Sequence, residues 1–456
     1  MSALTDALKR LSLGDALIRR NPLFYGRARA RIDALQAQGV EARRQWIDAR
    51  RKWVDERLNK VLAAARRTRY GRTVGGGDAL ASWPLLEKNA LRVAPDDFRA
   101  PGFFVSVRGS TGGTTGLPLR LLRPLQAVVF EQASLDWLLE KLGVQPGRMR
   151  MAVLRADSIK DPADRKPPYW ILTHGGQRMV LSPHHLSADT IADYARALRE
   201  FKPDVLWVYP TALESLSRLL LRAGLRLNVP RVHASSEVLG AQTWRVAQQA
   251  LGAPAIADYY GQAERVAFAA AFEPGVYRFL PGYARVELVP FAAQGESTLY
   301  EIVGTSLWNL AMPLVRYRTG DLVSLAAAWG SAELEEVALG ARPFGGVLGR
   351  SGEFLLTPEG ARITGINHFP REVGHVRRIQ VIQERVDAVR LLVLAEAGYS
   401  AHDAQRLLAN VRAKLPPSMS VSVELCERLE QTALGKTPFV IHRPAVRRLV
   451  ELADAA

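Results

Sequence analysis

The chain has 456 residues, 48% apolar and 23% charged, the balance of an ordinary soluble globular protein and too long for a single hydrophobic core. Lysine and arginine outnumber aspartate and glutamate by 61 to 45, a formal charge of +16, which favours anionic partners. One cysteine, Cys426, excludes an intrachain disulfide, and no apolar run approaches the roughly 20 residues of a membrane span.

The opening residues Met1-Ser2-Ala3-Leu4-Thr5-Asp6 lack the basic and then apolar pattern of a secretory signal, so a cytoplasmic protein without stable membrane insertion is expected. From Pro22 to Arg67 apolar residues recur at helical spacing (Ile32, Leu35, Trp46, Ile47, Trp53, Val54, Leu58), predicting helix. The opposite face is basic, with Arg43, Arg44, Arg50, Arg51 and Lys52. It reads as the solvated face of a packed helix, with a membrane-surface helix as the alternative. After Phe103-Phe104-Val105 comes Gly109-Ser110-Thr111-Gly112-Gly113-Thr114-Thr115-Gly116. Glycines let backbone amides approach an anion, and hydroxyls add neutral donors suited to phosphate oxygens. It is not a Walker loop, because Leu117 follows where lysine would stand. Gly435-Lys436-Thr437 fails the same test, with Glu430 in place of the first glycine.

Strands and helices then alternate: strands at 149–154, 204–209, 231–234 and 255–259, helices at 213–222 and 242–251. That pattern predicts a mostly parallel sheet covered on both faces. The text is strand-rich between Arg285 and Val323, as in Thr298–Val303, and a smaller α+β unit follows Gly349: strand 388–394, helix 404–415, strand 420–425. The expected division is a helical segment over 1–75 packed on a large domain over 76–348, then a small domain over 349–456. His184-His185 lacks the ligand spacing of a metal cluster, no Gly-x-Ser-x-Gly elbow is present, and no pattern of a nucleic-acid reader accompanies the basic charge.

Five motifs stand in order: the glycine-rich loop; Asp258-Tyr259-Tyr260-Gly261-Gln262-Ala263-Glu264; Pro313-Leu314-Val315-Arg316-Tyr317-Arg318-Thr319-Gly320-Asp321; Leu348-Gly349-Arg350-Ser351-Gly352-Glu353; and Ala433-Leu434-Gly435-Lys436. This series resembles the core motifs of the adenylate-forming superfamily, closest to its phenylacetate–CoA ligase and CapK-like branch. Pro84-Leu85-Leu86-Glu87-Lys88 and Ala234-Ser235-Ser236-Glu237 resemble further motifs of that branch. The resemblance runs from about 55 to about 445 and implies an α/β large domain with a mobile α+β C-terminal lid.

The resemblance also implies chemistry: a carboxylic acid and ATP give an acyl- or aryl-adenylate with loss of pyrophosphate, and the acyl group passes to the thiol of CoA or of an acidic carrier protein. Two anions must meet, so catalysis is mostly positioning and charge neutralisation. Ser110, Thr111, Gly112, Gly113, Thr114, Thr115 and Gly116 would hold phosphates. Tyr259, Tyr260, Gly261, Ser236 and Glu237 would contact the nucleotide, and Glu264 would hold Mg²⁺. Asp321 and Arg350 would take the ribose, and Lys436, with Thr114 and Glu264, would serve catalysis. Gly352 falls at the hinge, and glycine turns either way with little steric penalty. Two departures are plain: Leu117 replaces a lysine, for which Arg120 or Arg123 could substitute, and Ala263 replaces a threonine.

Phe201, Trp207, Tyr209, Ser235 and Tyr259 are candidates to line the acyl pocket. The acid, the oligomeric state (a homodimer being one possibility) and the acceptor are open at this stage. Transfer of the adenylate to an amine, and a non-catalytic basic binding protein on a ligase scaffold, stand as alternatives.

Overall fold

The computed structural model describes residues 15–36, 43–103, 106–110, 119–155, 159–161, 164, 166–183, 185–294, 296–350, 354–358, 362–363, 366, 369–370, 373–413, 415–431 and 437–455. It resolves into two compact units, Met1–Val347 and Leu348–Ala456.

In the first unit, strands β1 (Ser106–Ser110) and β2 (Arg120–Pro124) form an antiparallel hairpin whose connection is the glycine-rich loop, so Thr111 to Gly116 lie outside the described residues. Six elements then build most of the main sheet: β3 (Met151–Leu154), β4 (Trp170–Thr173), β5 (Arg178–Leu181), β6 (Val205–Val208), β7 (Arg231–Ser235) and β8 (Ala255–Gly261). With β9 (Phe268–Ala271) and β10 (Tyr277–Phe279) they make eight strands in the order β10-β9-β8-β7-β6-β3-β5-β4. The centre, β8-β7-β6-β3-β5, is parallel; the outer pairings are antiparallel. The apolar text of the inner strands is what a sheet buried on both faces requires. Helices Ile191–Phe201, Pro210–Arg222 and Ala241–Ala250 cover one face, and Leu125–Lys141 with Pro22–Gln36 cover the other. Pro210 opens its helix at the position where a missing N–H costs nothing, and Gly224, at φ +67°, follows its end.

The predicted mostly parallel sheet with helices on both faces is therefore observed. The β4–β5 hairpin and helix Leu125–Lys141 had no clear periodic signal. Phe201 is corrected: it sits in the core on the face covered by helices Ile191–Phe201, Pro210–Arg222 and Ala241–Ala250, with Leu198 and Leu206, whereas Trp207 and Tyr259 pack on the other face. The basic face of helix Arg43–Arg66 is corrected too, because it is not uniformly solvated. Arg50 is 1% exposed, stacks 3.2 Å from the Trp46 ring and donates to Leu35 O and Leu339 O. Desolvation lowers its pKa to about 9. A helix that buries a guanidinium against the domain does not present that arginine to a membrane surface.

A second sheet follows, antiparallel in β11 (Ala284–Gln294), β12 (Ser297–Ser306) and β13 (Tyr317–Ala326). Residues 318–322 of β13 face only 301–303 of β12, so Thr319-Gly320-Asp321 is a bulge inside a strand. Gly320 takes φ +73° there, which glycine alone reaches without steric penalty.

In the second unit, Val376–Arg385 and Ala388–Ala395 pair antiparallel, flanked in parallel by Val440–His442 and Ser420–Leu425. Helix Ala401–Arg412 starts with a capping box between Ser400 and Asp403 and packs Leu407 and Val411 against Val381, Leu391 and Val393. Among the described residues no helix is long and apolar enough to cross a membrane.

Candidate active site

Ligands of open, largely parallel sheets bind outside the carboxyl ends of the strands, and β8 with its following turn carries four of the candidate residues, Tyr259, Tyr260, Gly261 and Glu264. Successive side chains on a strand point to opposite faces, which separates the two adjacent tyrosines. Tyr260 donates to Asp321 Oδ2 at 2.7 Å across 61 positions of sequence, and Gln262 donates to the Tyr260 hydroxyl. Tyr259 donates to Glu131 Oε1 at 3.3 Å, and its ring packs against Phe268 and His233. Gly261 is tightly constrained, since a Cβ there would lie 2.1 Å from the Tyr259 hydroxyl.

Asp321 is 6% exposed. The bulge that presents it is held by its own atoms: Thr319 Oγ1 donates to Ile302 O at 2.7 Å and accepts from Asp321 N at 3.0 Å, while Gly320 N donates to Glu301 Oε1 at 3.1 Å. Burial and the Asp321 carboxylate raise the Tyr260 pKa well above its ordinary value, so the phenol stays protonated and donates. A carboxylate offers several lone pairs, so accepting from Tyr260 does not exhaust what Asp321 can accept.

Glu264, 6% exposed, accepts from the Tyr317 hydroxyl at 2.7 Å on Oε1, and Lys88 Nζ lies 3.3 Å from the same oxygen. Lys88 reaches it because the preceding segment is clipped to the edge of β13: Leu86 N donates to Arg316 O and Arg318 N donates to Leu86 O. Segments 260–264 and 317–321 are thus tied twice, by Tyr260–Asp321 and by Glu264–Tyr317. Tyr317 and Lys88 both meet Glu264 at Oε1, and a carboxylate is the kind of oxygen ligand a hard cation prefers. Beneath the turn, β12 passes at Gly304, where a Cβ would meet Val266 O at 2.0 Å.

At the ends of β6 and β7, Trp207 Nε1 donates to Ser235 Oγ at 3.0 Å, and the Arg155 guanidinium lies 4.1 Å from the Trp207 ring and 5.5 Å from that of Tyr209. Trp207, Tyr209, Ser235 and Tyr259 therefore share one neighbourhood with His233. That imidazole is buried, and desolvation beside Arg155 lowers its pKa to about 3. Ser236 bends the chain at φ +74°. Glu237 then turns to helix Pro210–Arg222 and accepts from Thr211 N at 2.9 Å and Thr211 Oγ1 at 2.6 Å, a carboxylate at the positive end of a helix.

Thr111, Gly112, Gly113, Thr114, Thr115, Gly116, Gly352 and Lys436 lie outside the described residues, and only the backbone of Ser110 and Arg350 is described. Sequence reasoning missed Tyr317 and Glu131 as partners. It had Lys88 in a motif without a role; the motif's place before the loop was the signal available.

A family model described as the CapK C-terminal domain matches residues 355–443. Protein CapK of Staphylococcus aureus is 21% identical over 366 residues, covering 79% of this chain and 79% of that protein. Phenylacetate-coenzyme A ligase of Escherichia coli (strain K12) is 28% identical over 323 residues, 64% of this chain and 65% of that enzyme. The corresponding enzyme of Pseudomonas putida is 27% identical over 226 residues, and the match spans 47% of its length. A solved 2-hydroxyisobutyryl-CoA ligase, captured in the postadenylation state with 2-HIB-AMP, superposes with a TM-score of 0.57 at 15% identity, covering 88% of this chain and 92% of that one; this establishes the fold. In sequence the chain is thus similar to phenylacetate-coenzyme A ligases and to protein CapK, and in fold to a solved CoA ligase, with the motif order and the doubly tied Tyr260–Glu264 turn pointing the same way.

Proposed function

We propose that the protein activates an aryl or acyl carboxylic acid with ATP, releasing pyrophosphate, and passes the acyl group to a thiol, that of CoA or of a carrier protein. The observation that carries this reading is the pair of cross-links Tyr260–Asp321 and Glu264–Tyr317. They bring a buried carboxylate suited to ribose hydroxyls and a second suited to a divalent cation onto one short face, next to the aromatic neighbourhood of Trp207, Tyr209 and Tyr259. ATP brings the adenylyl group and Mg²⁺ offsets phosphate charge. The protein's own part is to orient: Asp321 fixes the sugar, Tyr260 fixes Asp321, and Glu264 faces the phosphate end.

On this reading Arg350 shares the ribose with Asp321, residues 349–456 act as a lid turning at Gly352, and Lys436 supplies the cation for the adenylation step. The glycine-rich loop holds the β- and γ-phosphates. The aromatic lining of the acyl neighbourhood favours an aromatic or medium-length acid. The test is acid-dependent exchange of labelled pyrophosphate into ATP across a panel of aryl and aliphatic acids, with CoA present and absent. AMP as the product supports the reading; ADP, or no acid dependence anywhere in the panel, rejects it.

A further inference from the structure

The loop lysine of many relatives is absent, and two nearby arginines divide unequally. The Arg120 side chain is 76% exposed and reaches Asp96 only at 3.9 Å. Arg123 is turned inward. Its guanidinium lies across Gly109 of β1, where a Cβ would come within 2.5 Å of Nη1 and 2.6 Å of Cζ. From there Nη2 donates to Ala263 O, the carbonyl just before Glu264. Only glycine at 109 leaves room for that crossing.

The other side of the turn is held by a second arginine. Arg265, at φ +57°, donates to Ala127 O at 3.1 Å and lies 3.5 Å from Glu131 Oε2. Glu131 also accepts from Tyr259 and Tyr283. Arg123, Arg265 and Glu131 line one small cavity. Burial and the charge of Arg265 lower the Arg123 pKa to about 10, which leaves it charged at neutral pH. A charged donor on a backbone carbonyl is stronger than a neutral one, and the planar fork of arginine holds direction as lysine cannot.

We propose that Arg123 is a positioning residue for nucleotide binding, fastening the hairpin that carries the glycine-rich loop to the turn that carries Glu264. It touches no substrate. Its effect is to fix strands β1 and β2, which lead into and out of the loop, against the turn that carries Glu264, where small misplacements cost binding and rate. This rests on the ligase reading above, in that the nucleotide is taken to meet both segments.

The test compares wild type with Arg123→Lys and Gly109→Ala, the second displacing the guanidinium while leaving it in the chain. MgATP affinity is measured by calorimetry without acid, the Michaelis constants for ATP and acid come from pyrophosphate exchange, and the melting temperature reports the fold. Both variants should weaken MgATP by about tenfold or more, with the acid constant within twofold and melting within a few degrees of wild type. Unchanged MgATP affinity in a folded Arg123→Lys overturns the proposal, as does a parallel loss for ATP and acid with a lower melting temperature. Wild type that binds MgATP but exchanges no pyrophosphate with any acid counts against the ligase reading alone, since the affinity comparison still decides the role of Arg123. Wild type that does not bind MgATP overturns both.

Discussion

Tyr259 and Tyr260 are the same residue type one position apart, yet they belong to different parts of the molecule. Tyr260 sits by the second sheet and orients Asp321; Tyr259 sits over the main sheet with His233 and Phe268 and leans on Glu131. The pleat of β8 makes the division: on the proposed function, one face of the strand would serve the nucleotide and the other the acyl group. A buried carboxylate is thereby assigned to each face, and the two should fail differently, Asp321 through binding and Glu131 through the fold.

The reference for a loss confined to chemistry is Lys436→Ala. Removing a charge that acts in the transition state costs about 3–4 kcal/mol, or roughly 10²–10³ in rate. Adenylation should fall by that factor with melting unchanged, and near-normal pyrophosphate exchange would assign Lys436 to an ordinary surface turn. On the Tyr259 side, Glu131→Leu leaves Arg265 without its carboxylate and strands two tyrosine hydroxyls. Stripping one partner from a largely buried pair costs about 3 kcal/mol, so the urea midpoint should drop at constant slope. A midpoint equal to wild type would show that Glu131 does not hold this face.

On the Tyr260 side, Asp321→Asn and Tyr260→Phe should each weaken ATP by about 1.5–3 kcal/mol, the range for hydrogen bonds to charged groups. Calorimetry should find that loss with little change in folding stability. Tight ATP binding by Asp321→Asn would move the ribose site elsewhere. The smallest effect at neutral pH belongs to His233. Its folded pKa, lowered to about 3 against an ordinary 6.5, means that the unfolded chain takes up a proton first as pH falls. Stability attributable to this group is therefore present above pH 6.5 and lost from there towards pH 3. Asp258 tilts the other way: burial raises its pKa to about 7, so its contribution is present below its ordinary 3.8 and fades as pH rises to 7. His233→Phe should make the acid side of the stability profile shallower, and an unchanged slope between pH 4 and 6.5 would rule out the histidine as its source.

Much of this was legible in the sequence. Alternating strand and helix text, from β6 through β8, foretold the sheet; the motifs singled out Tyr260, Glu264 and Asp321, whose segments the fold ties together. What the text could not show is which atoms meet. The approach of Tyr317 to Glu264 depends on strand register across 53 positions, and a bulge at Thr319-Gly320-Asp321 is not distinguishable from a turn in the text because both call for glycine. Arg50 looked like one of a basic stripe, but its burial is decided by the carbonyls of Leu35 and Leu339, the latter 289 residues away. Arg123 and Arg120 are alike in sequence, and only the hairpin geometry sends one inward.

Gly304 carries a consequence for how this molecule tolerates variation. It lies in β12 opposite Tyr317, outside every motif, and its missing side chain lets Val266 O sit where a methyl group would be. Alanine there would press on backbone rather than on a yielding side chain, and the turn two residues after Glu264 would have to move. In a saturation library selected for activity, position 304 should therefore be as depleted as the motif residues.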